Sequence, residues 1–197
     1  MKYTGLKIGW GVTGSYCSIE PFLKVAFSLR DEGAEITSFA SSSLFNTNTR
    51  FGLGDSWRAK LKELARGNLV TTIVDAEPYG PEKPLDIMVI APLTGSSMAK
   101  LALGITDTPI LMAAKATLRN NKPVLLAVST NDALGNNAEN LGKLLRTRGI
   151  YFVPFRQDAP INKPRSLVAV ASLLPEALFE AVAGRQLQPI LAEKTGG

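Results

Sequence analysis

The fold is decided by residues 6–29, LKIGWGVTGSYCSIEPFLKVAFSL, where two periodicities follow one another. Residues 6–10 form a short apolar run typical of a β-strand, and the glycine-containing turn 12–15 comes soon after it. Apolar side chains then recur at the spacing of an α-helix, at Ile19, Phe22, Val25, Ala26 and Leu29. The stretch therefore predicts one strand–turn–helix unit, the building block of a parallel sheet.

The same alternation of short apolar runs and helical patterns continues along the chain. Further strands are predicted at residues 34–39, 69–74, 85–91, 124–128 and 150–153. Helices are predicted at 57–65, in two pieces between 96 and 119, at 138–148 and at 166–183, with long loops at 41–54 and 154–164. This order predicts an α/β fold with one doubly wound parallel sheet in a three-layer, flavodoxin- or Rossmann-like sandwich. We expect residues 1–197 to form a single domain with a C-terminal tail from about residue 186.

Composition excludes several classes of function. The 197 residues include no histidine and one cysteine, Cys17, which excludes a Ser–His–Asp or Cys–His nucleophile, histidine-ligated metals and an internal disulfide. We predict no metal site. A net charge of +5 favours an anionic ligand or, equally, a solvated basic surface. Scattered basic residues argue against nucleic acid, and the lack of a long apolar stretch or a secretory signal predicts a cytoplasmic protein without a membrane partner.

Small polar residues collect where the predicted strands end. In a parallel sheet these ends lie together at one edge, where ligands bind. The residues predicted to hold a phosphate-bearing ligand there are Gly11, Thr13, Gly14, Ser15, Ser38, Thr94, Ser96 and Ser97. Glycine lets the backbone approach a ligand closely, hydroxyl groups donate hydrogen bonds, and the free N–H groups of the following helices attract an anion. The sequence therefore predicts an anion site held by dipoles.

Several candidate residues have a structural alternative. Residues 9–14 carry the letters G-x-G-x-x-G, but the second predicted strand lacks the acidic residue that binds a ribose, and a tight strand-to-helix turn fits equally well. Cys17 is either a packed residue or a thiol activated by the helix N-terminus. Arg50 in a polar loop and Lys115 on a predicted helix fit either anion binding or a solvated surface. Asn131 either caps the next segment or contacts a ligand.

A resemblance to a known family begins at residues 92–107, PLTGSSMAKLALGITD. This run resembles the signature of the flavoprotein family of FMN-dependent cysteine decarboxylases, Pro-Ala-Ser-Ala-Asn-Thr followed by Ala-Lys-x-Ala-x-Gly-x-x-Asp. The turn 11–15 is similar to the family's first phosphate-binding turn, so the resemblance implies a flavodoxin-like fold with a site for the phosphate of FMN. The chain departs from the family in having no histidine base, Ser96 in place of an asparagine, and Thr130 in place of a methionine. These departures argue against cysteine decarboxylation.

Further sequence segments resemble one branch of this family, whose members are subunits of an oxidoreductase. These segments are residues 8–15, 48–52, 88–95, 112–117, 129–135 and 186–191. The resemblance implies NADP-dependent oxidation of a cyclic dihydropyridine dicarboxylate during sporulation. It also implies a partner subunit that carries a Rossmann domain and binds the NADP.

The implied substrate guides the choice of substrate-binding residues. Two carboxylates require cationic or N–H donors, so Arg50, Lys115 and Asn131 are predicted to bind the dicarboxylate, with Ser96 as a further polar contact. No catalytic residue is predicted. The expected protein partners are the second subunit and further copies of this chain. Two alternatives stay open: a non-catalytic assembly subunit, and an FMN-binding flavoprotein similar to the decarboxylases or prenyltransferases.

Overall fold

A parallel β-sheet forms the centre of the computed structural model, which describes residues 3–193. Its parallel strands are β1 (Lys7–Val12), β2 (Glu35–Ala40), β3 (Leu69–Val70), β4 (Ile87–Leu93), β5 (Val124–Thr130) and β6 (Ile150–Phe152). Pairing places them in the order β3-β2-β1-β4-β5-β6. Strand β4 is buried at every position, because helices cover both faces of the sheet.

Helices lie on the two faces of the sheet. They are α1 (Tyr16–Asp31), α2 (Ser42–Phe45), α3 (Gly54–Leu64), α4 (Ile73–Ala76), α5 (Gly95–Leu103), α6 (Pro109–Arg119), α7 (Ala138–Leu145) and α8 (Leu174–Val182). One layer contains α1, α3 and α8, and the other contains α5, α6 and α7. The predicted three-layer α/β fold is therefore confirmed. No helix among residues 3–193 is long and apolar enough to cross a bilayer.

Two predicted elements are wrong in part. Residues 69–74 are extended only as far as Val70, because the Thr72 side chain accepts a hydrogen bond from the Asp75 N–H and starts α4. Residues 166–183 are not one helix: Leu167–Ala169 form strand β8, which pairs antiparallel with both β5 and β7 (Phe155–Arg156). Inward-facing Leu167 and Ala169 have the two-residue period of a strand, and α8 begins only at Leu174.

The predicted C-terminal tail packs against the last strands of the sheet. The amide of Gln186 accepts a hydrogen bond from the Phe152 N–H and donates one to the Phe152 carbonyl, each at 2.8 Å. Farther along, the Phe155 N–H donates to the Ile190 carbonyl and the Ala192 N–H donates to the Phe155 carbonyl, both at 3.0 Å. The tail therefore provides β7 with a second pairing partner opposite β8.

Two glycines of the G-x-G-x-x-G letters lie inside β1, where they allow close packing. A β-carbon on Gly9 would lie 2.5 Å from Leu85 Cδ1 and 2.6 Å from Met88 Sδ, and one on Gly11 would lie 2.7 Å from a methyl group of Ile110 on α6. Gly14, in the turn after β1, has only a Tyr16 ring carbon at 3.8 Å. The first two glycines are therefore explained by packing, and the third leaves space on its open side.

Replacing Gly9 with alanine is expected to destabilise the protein by about 1–3 kcal/mol, because the added methyl group overpacks the space between β1 and β4. The matched change, Gly14→Ala, should alter the free energy of unfolding by less than about 1 kcal/mol. Urea denaturation of both variants measures the difference. Equal stabilities for the two variants would contradict the packing role of Gly9.

Candidate functional site

A cleft of about 380 Å³ opens at the carboxyl ends of β1, β4 and β5. From β1 the chain adds strands β2 and β3 on one side, and from β4 it adds β5 and β6 on the other, so the strand order reverses between β1 and β4. Doubly wound sheets bind ligands at this point. The residues lining the cleft are Gly14, Ser15, Cys17, Ser18, Thr94, Gly95, Ser96, Ser129, Thr130, Asn131, Asp132, Asp158, Lys163, Ser166, Leu167 and Val168. Hydroxyl groups dominate this lining.

Thr13 links the turn after β1 to the turn after β4 by hydrogen bonds. Its Oγ1 donates to the Pro92 carbonyl at 2.8 Å and accepts from the Thr94 N–H at 2.9 Å. Pro92 follows a cis peptide bond and ends the regular pairing of β4. Because Thr13 is buried and both functions of its hydroxyl are used, its role in this structure is to fix one turn against the other.

The N-termini of α1 and α5 reach the same cleft. No hydrogen-bond partner is described within residues 3–193 for the first-turn N–H groups of Tyr16 and Cys17 in α1, or of Gly95 and Ser96 in α5. Such N–H groups carry the positive end of the helix dipole and form natural anion sites. The predicted use of dipoles for anion binding therefore has a geometric basis.

Three serine hydroxyls form a connected group in the floor of the cleft. Ser129 Oγ, at the end of β5, lies 2.9 Å from Ser15 Oγ and 2.7 Å from Ser18 Oγ. Cys17 is exposed beside them, with its Sγ 3.7 Å from Ser18 Oγ. Each hydroxyl can donate or accept, so the group can reorient its hydrogen atoms toward a bound ligand.

Asp132 is held against the start of α5. Its carboxylate accepts from Thr130 Oγ1 at 2.5 Å and from Asn137 Nδ2 at 2.7 Å. A β-carbon on Gly95 would lie within 2.7–2.8 Å of these three side chains. Gly95 is therefore required for the close approach, and the carboxylate faces the positive end of α5.

The segment 158–168 forms the outer wall of the cleft and contributes its one described cation. Lys163 Nζ lies 3.3 Å from Asp158 Oδ2. Burial disfavours the charged form of Asp158, but hydrogen bonds from Ser166 and Lys163, together with the charge of Lys163, hold the pKa of Asp158 below its ordinary value. Lys163 and Asp158 therefore form an ion pair, and the charge of Lys163 is partly neutralised by its partner.

The structure divides the residues predicted to bind a ligand into two groups. The lining residues are Gly14, Ser15, Thr94, Ser96 and Asn131. The others lie elsewhere: Gly11 and Thr13 are internal, Ser38 Oγ donates to the Leu61 carbonyl, Ser97 lies in the capped first turn of α5, and Arg50 and Lys115 are exposed outside the cleft. Ligand roles for all of them remain predictions.

Sequence reasoning missed Lys163, Asp158 and Ser166 as cleft residues. Residues 154–164 stand out in the sequence as a long loop in an α/β domain, which is a signal for a binding loop. The folding of this loop onto the cleft depends on the β7–β8 pair, which the predicted helix at 166–183 concealed. No cluster of potential metal-binding side chains was found among the described residues.

Replacing Gly95 with alanine is expected to lower the free energy of unfolding by about 1–3 kcal/mol, because the methyl group would separate Asp132 from its two donors. Gly142→Ala in α7 is the control. No atom lies within 4 Å of its added β-carbon, so helix propensity should stabilise this variant by up to about 1 kcal/mol. Thermal and urea unfolding test both variants, and a Gly95→Ala protein as stable as the wild type would refute the close approach.

Comparisons with known proteins identify the family of the chain. The family model described as Flavoprotein matches residues 1–170. The B-type subunit of dipicolinate synthase from Bacillus subtilis (strain 168) is 51% identical over 193 residues, which cover 98% of this chain and 96% of that protein.

Solved structures give the same relationship. The B-type subunit of dipicolinate synthase from Bacillus halodurans C superposes with a TM-score of 0.90 at 47% identity, covering 98% of this chain and 100% of that one. The FMN-dependent cysteine decarboxylase SpaF superposes with a TM-score of 0.66 at 20% identity, covering 90% and 98%, a likeness that extends to the fold alone. The chain thus belongs to the Flavoprotein family, and within that family it is a homologue of the B-type subunits of dipicolinate synthase.

Proposed function

We propose that this chain is the B-type subunit of a dipicolinate synthase and acts with an A-type subunit during sporulation. The observation that carries the proposal is 51% identity to such a protein across nearly the whole of both chains. The cleft at the β1–β4 crossover supports it, because N–H and hydroxyl donors converge there on a space suited to a small anion. On this proposal, the chain works in the cytoplasm as one part of an oxidoreductase.

The proposed reaction converts dihydrodipicolinate to dipicolinate. The ring loses one hydride and one proton and becomes an aromatic pyridine. A C–H bond breaks to release the hydride, and an N–H bond or a second C–H bond breaks to release the proton. On this proposal NADP is bound by the partner subunit and would supply the hydride acceptor, and the proton would leave to a base or to water. Because aromatisation drives the change, the protein mainly has to orient the substrate toward its acceptor.

The cleft residues orient the substrate through its carboxylates. The first-turn N–H groups of Tyr16 and Cys17, with the Ser15 hydroxyl beside them, are placed to bind one carboxylate. Lys163 is placed to bind the other by exchanging its Asp158 partner for the substrate. Asn131, which also lines the cleft, contributes a polar contact.

The described residues do not fit a flavin ring in this cleft. The N-terminus of α1 suits a phosphate, but the apolar side chains of the lining are Leu167 and Val168 alone, and no aromatic side chain lines it to stack on the ring. FMN therefore enters no step of the proposed mechanism.

Arg50 and Lys115 remain proposed substrate residues under one further condition. Both are exposed and lie outside the cleft of their own chain, and Arg50 stacks its guanidinium 4.8 Å from the centre of the Phe51 ring. They can reach substrate only if copies of this chain, or the partner subunit, place them at a shared site. The proposed assembly is therefore a homo-oligomer of this chain together with the A-type subunit.

Reconstitution with an A-type subunit tests the proposed function. We expect dipicolinate formation, followed with dihydrodipicolinate and NADP, to require both chains. Lys163→Ala should raise the KM for the dicarboxylate about tenfold, the loss expected for one charge-assisted hydrogen bond. Lys143→Ala, at an exposed position on α7, is the matched control and should leave KM unchanged.

Full turnover by the A-type subunit alone would overturn the catalytic proposal. If turnover needs this chain but is unaffected by Lys163→Ala, Lys163 does not bind the substrate; if Arg50→Ala and Lys115→Ala also have no effect, the chain is an assembly subunit instead.

Arg50→Ala and Lys115→Ala test whether substrate is bound across an interface. Each substitution should lower kcat/KM for the dicarboxylate about tenfold in the reconstituted enzyme, because one charge-assisted contact is lost. The thermal unfolding midpoint of the isolated chain should stay unchanged. Steady-state kinetics and thermal unfolding of the same preparations separate the two effects. Unchanged kinetics would remove that residue from the substrate site and leave the role of the cleft intact.

A further inference from the structure

A second depression lies at the opposite end of the strands from the cleft. It has a volume of about 690 Å³ and is bounded by the start of β2, the C-terminal end of α3 and residues 79–85. We call it the edge groove. None of its lining residues belongs to the cleft, and the proposed function uses none of them.

Strand β2 has an unpaired outer edge in the floor of the edge groove. Glu35 donates its N–H to the Leu6 carbonyl, on the β1 side, so the N–H of the next residue, Ile36, points outward. Strand β3 pairs only with Ser38 and Phe39. Ile36 is therefore an outward-facing strand residue beyond the end of β3.

The chain before β3 turns away from this edge. Arg66 and Gly67 both have positive φ values, of 49° and 95°, and the Asn68 N–H donates to the Ala65 carbonyl. In a longer β3 that N–H would pair with Ile36. No hydrogen-bond partner is consequently described within residues 3–193 for the backbone N–H or carbonyl of Ile36. An unpaired edge of this kind is a template for an added strand.

The walls of the edge groove are firm and apolar near the floor. Leu64, Tyr79 and Leu85 are buried, and the Tyr79 hydroxyl donates to Asn68, whose amide donates to Thr37. These contacts hold the two walls at a fixed separation. A strand that enters between them therefore meets a groove of fixed width, where it can gain backbone hydrogen bonds.

Charge at the rim favours an acidic occupant. The cations lining the edge groove are Lys7, Arg30, Arg66 and Lys83, and the carboxylates are Glu35 and Glu82. Arg30 is paired with Asp31, but no ion-pair partner is described within residues 3–193 for the other three cations. The recessed position of Ile36 disfavours a second copy of this chain, because two recessed edges cannot approach each other closely enough to pair.

We propose that the edge groove binds an extended acidic segment of another protein chain, which adds a strand beside Ile36. The two backbone groups of Ile36 give the segment its hydrogen bonds and orientation. The carboxylates of the segment meet Lys7, Arg66 and Lys83 at the rim. This proposal is independent of the proposed enzymatic function, since its residues lie at the other end of the strands.

Hydrogen exchange at a single amide tests the proposal. In the free protein the Ile36 amide should exchange much faster than the Ser38 amide, which donates to the Asn68 carbonyl at 3.1 Å. Adding the capped hexapeptide EVEVEV at millimolar concentration should slow exchange at Ile36 about tenfold or more. The peptide KVKVKV should have no such effect.

Two charge variants provide the matched comparison. Lys83→Glu at the rim should weaken binding of EVEVEV about fivefold, whereas Lys143→Glu, an exposed lysine on α7, should leave it unchanged. Both positions are exposed, so folding should be unaffected, and circular dichroism checks this.

Four results would overturn the proposal. They are slow exchange at Ile36 in the free protein, no protection by EVEVEV, binding of ADP in the edge groove in place of the peptide, and self-association that Lys83→Glu abolishes. The last two would identify a nucleotide site and an interface between copies of this chain.

Discussion

The site depends on the contact between the turns after β1 and β4. Thr13 provides it with one hydroxyl, which donates to the Pro92 carbonyl and accepts from the Thr94 N–H. Strands β1 and β4 are adjacent in the sheet although 74 residues separate the end of one from the start of the other, Val12 from Ile87, so only tertiary contacts can set their ends against each other. Because the turns are fixed, α1 and α5 both direct their N-termini into one cleft.

A chain without histidine has to bind and orient its ligand by other means, and the proposed site is lined mainly by neutral groups. The hydroxyls of Ser15, Ser18 and Ser129 contact one another, and Lys163 is paired with Asp158. Neutral donors at helix N-termini bind an anion without the desolvation cost that a buried cation would carry. Such a site suits the proposed function, in which aromatisation of the substrate drives the reaction.

Local periodicity was sufficient to predict the six parallel strands and most helices, because each element buries apolar residues at its own repeat. It was insufficient at residues 167–169. An apolar run there is compatible with either a strand or a helix, and the segment is a strand because it pairs with β5. The same limit applies to the site. Gly14 and Ser15 could be predicted to line the cleft because they follow a strand, whereas Lys163 lies in a loop that β8 folds back onto the cleft. The role of Gly9 in packing depends on Met88, which is far away in sequence.

The pairing of the tail with β7 has a consequence for the order of assembly. Strand β7 precedes the outer wall of the cleft, and its second partner is supplied by residues 190–192, near the end of the chain. The central strands can pair while the polypeptide is still being synthesised, since their partners are already present. Strand β7 obtains its last hydrogen bonds only after residue 192 has been synthesised, so the partners of the central strands are present before those of the strand that leads into the outer wall.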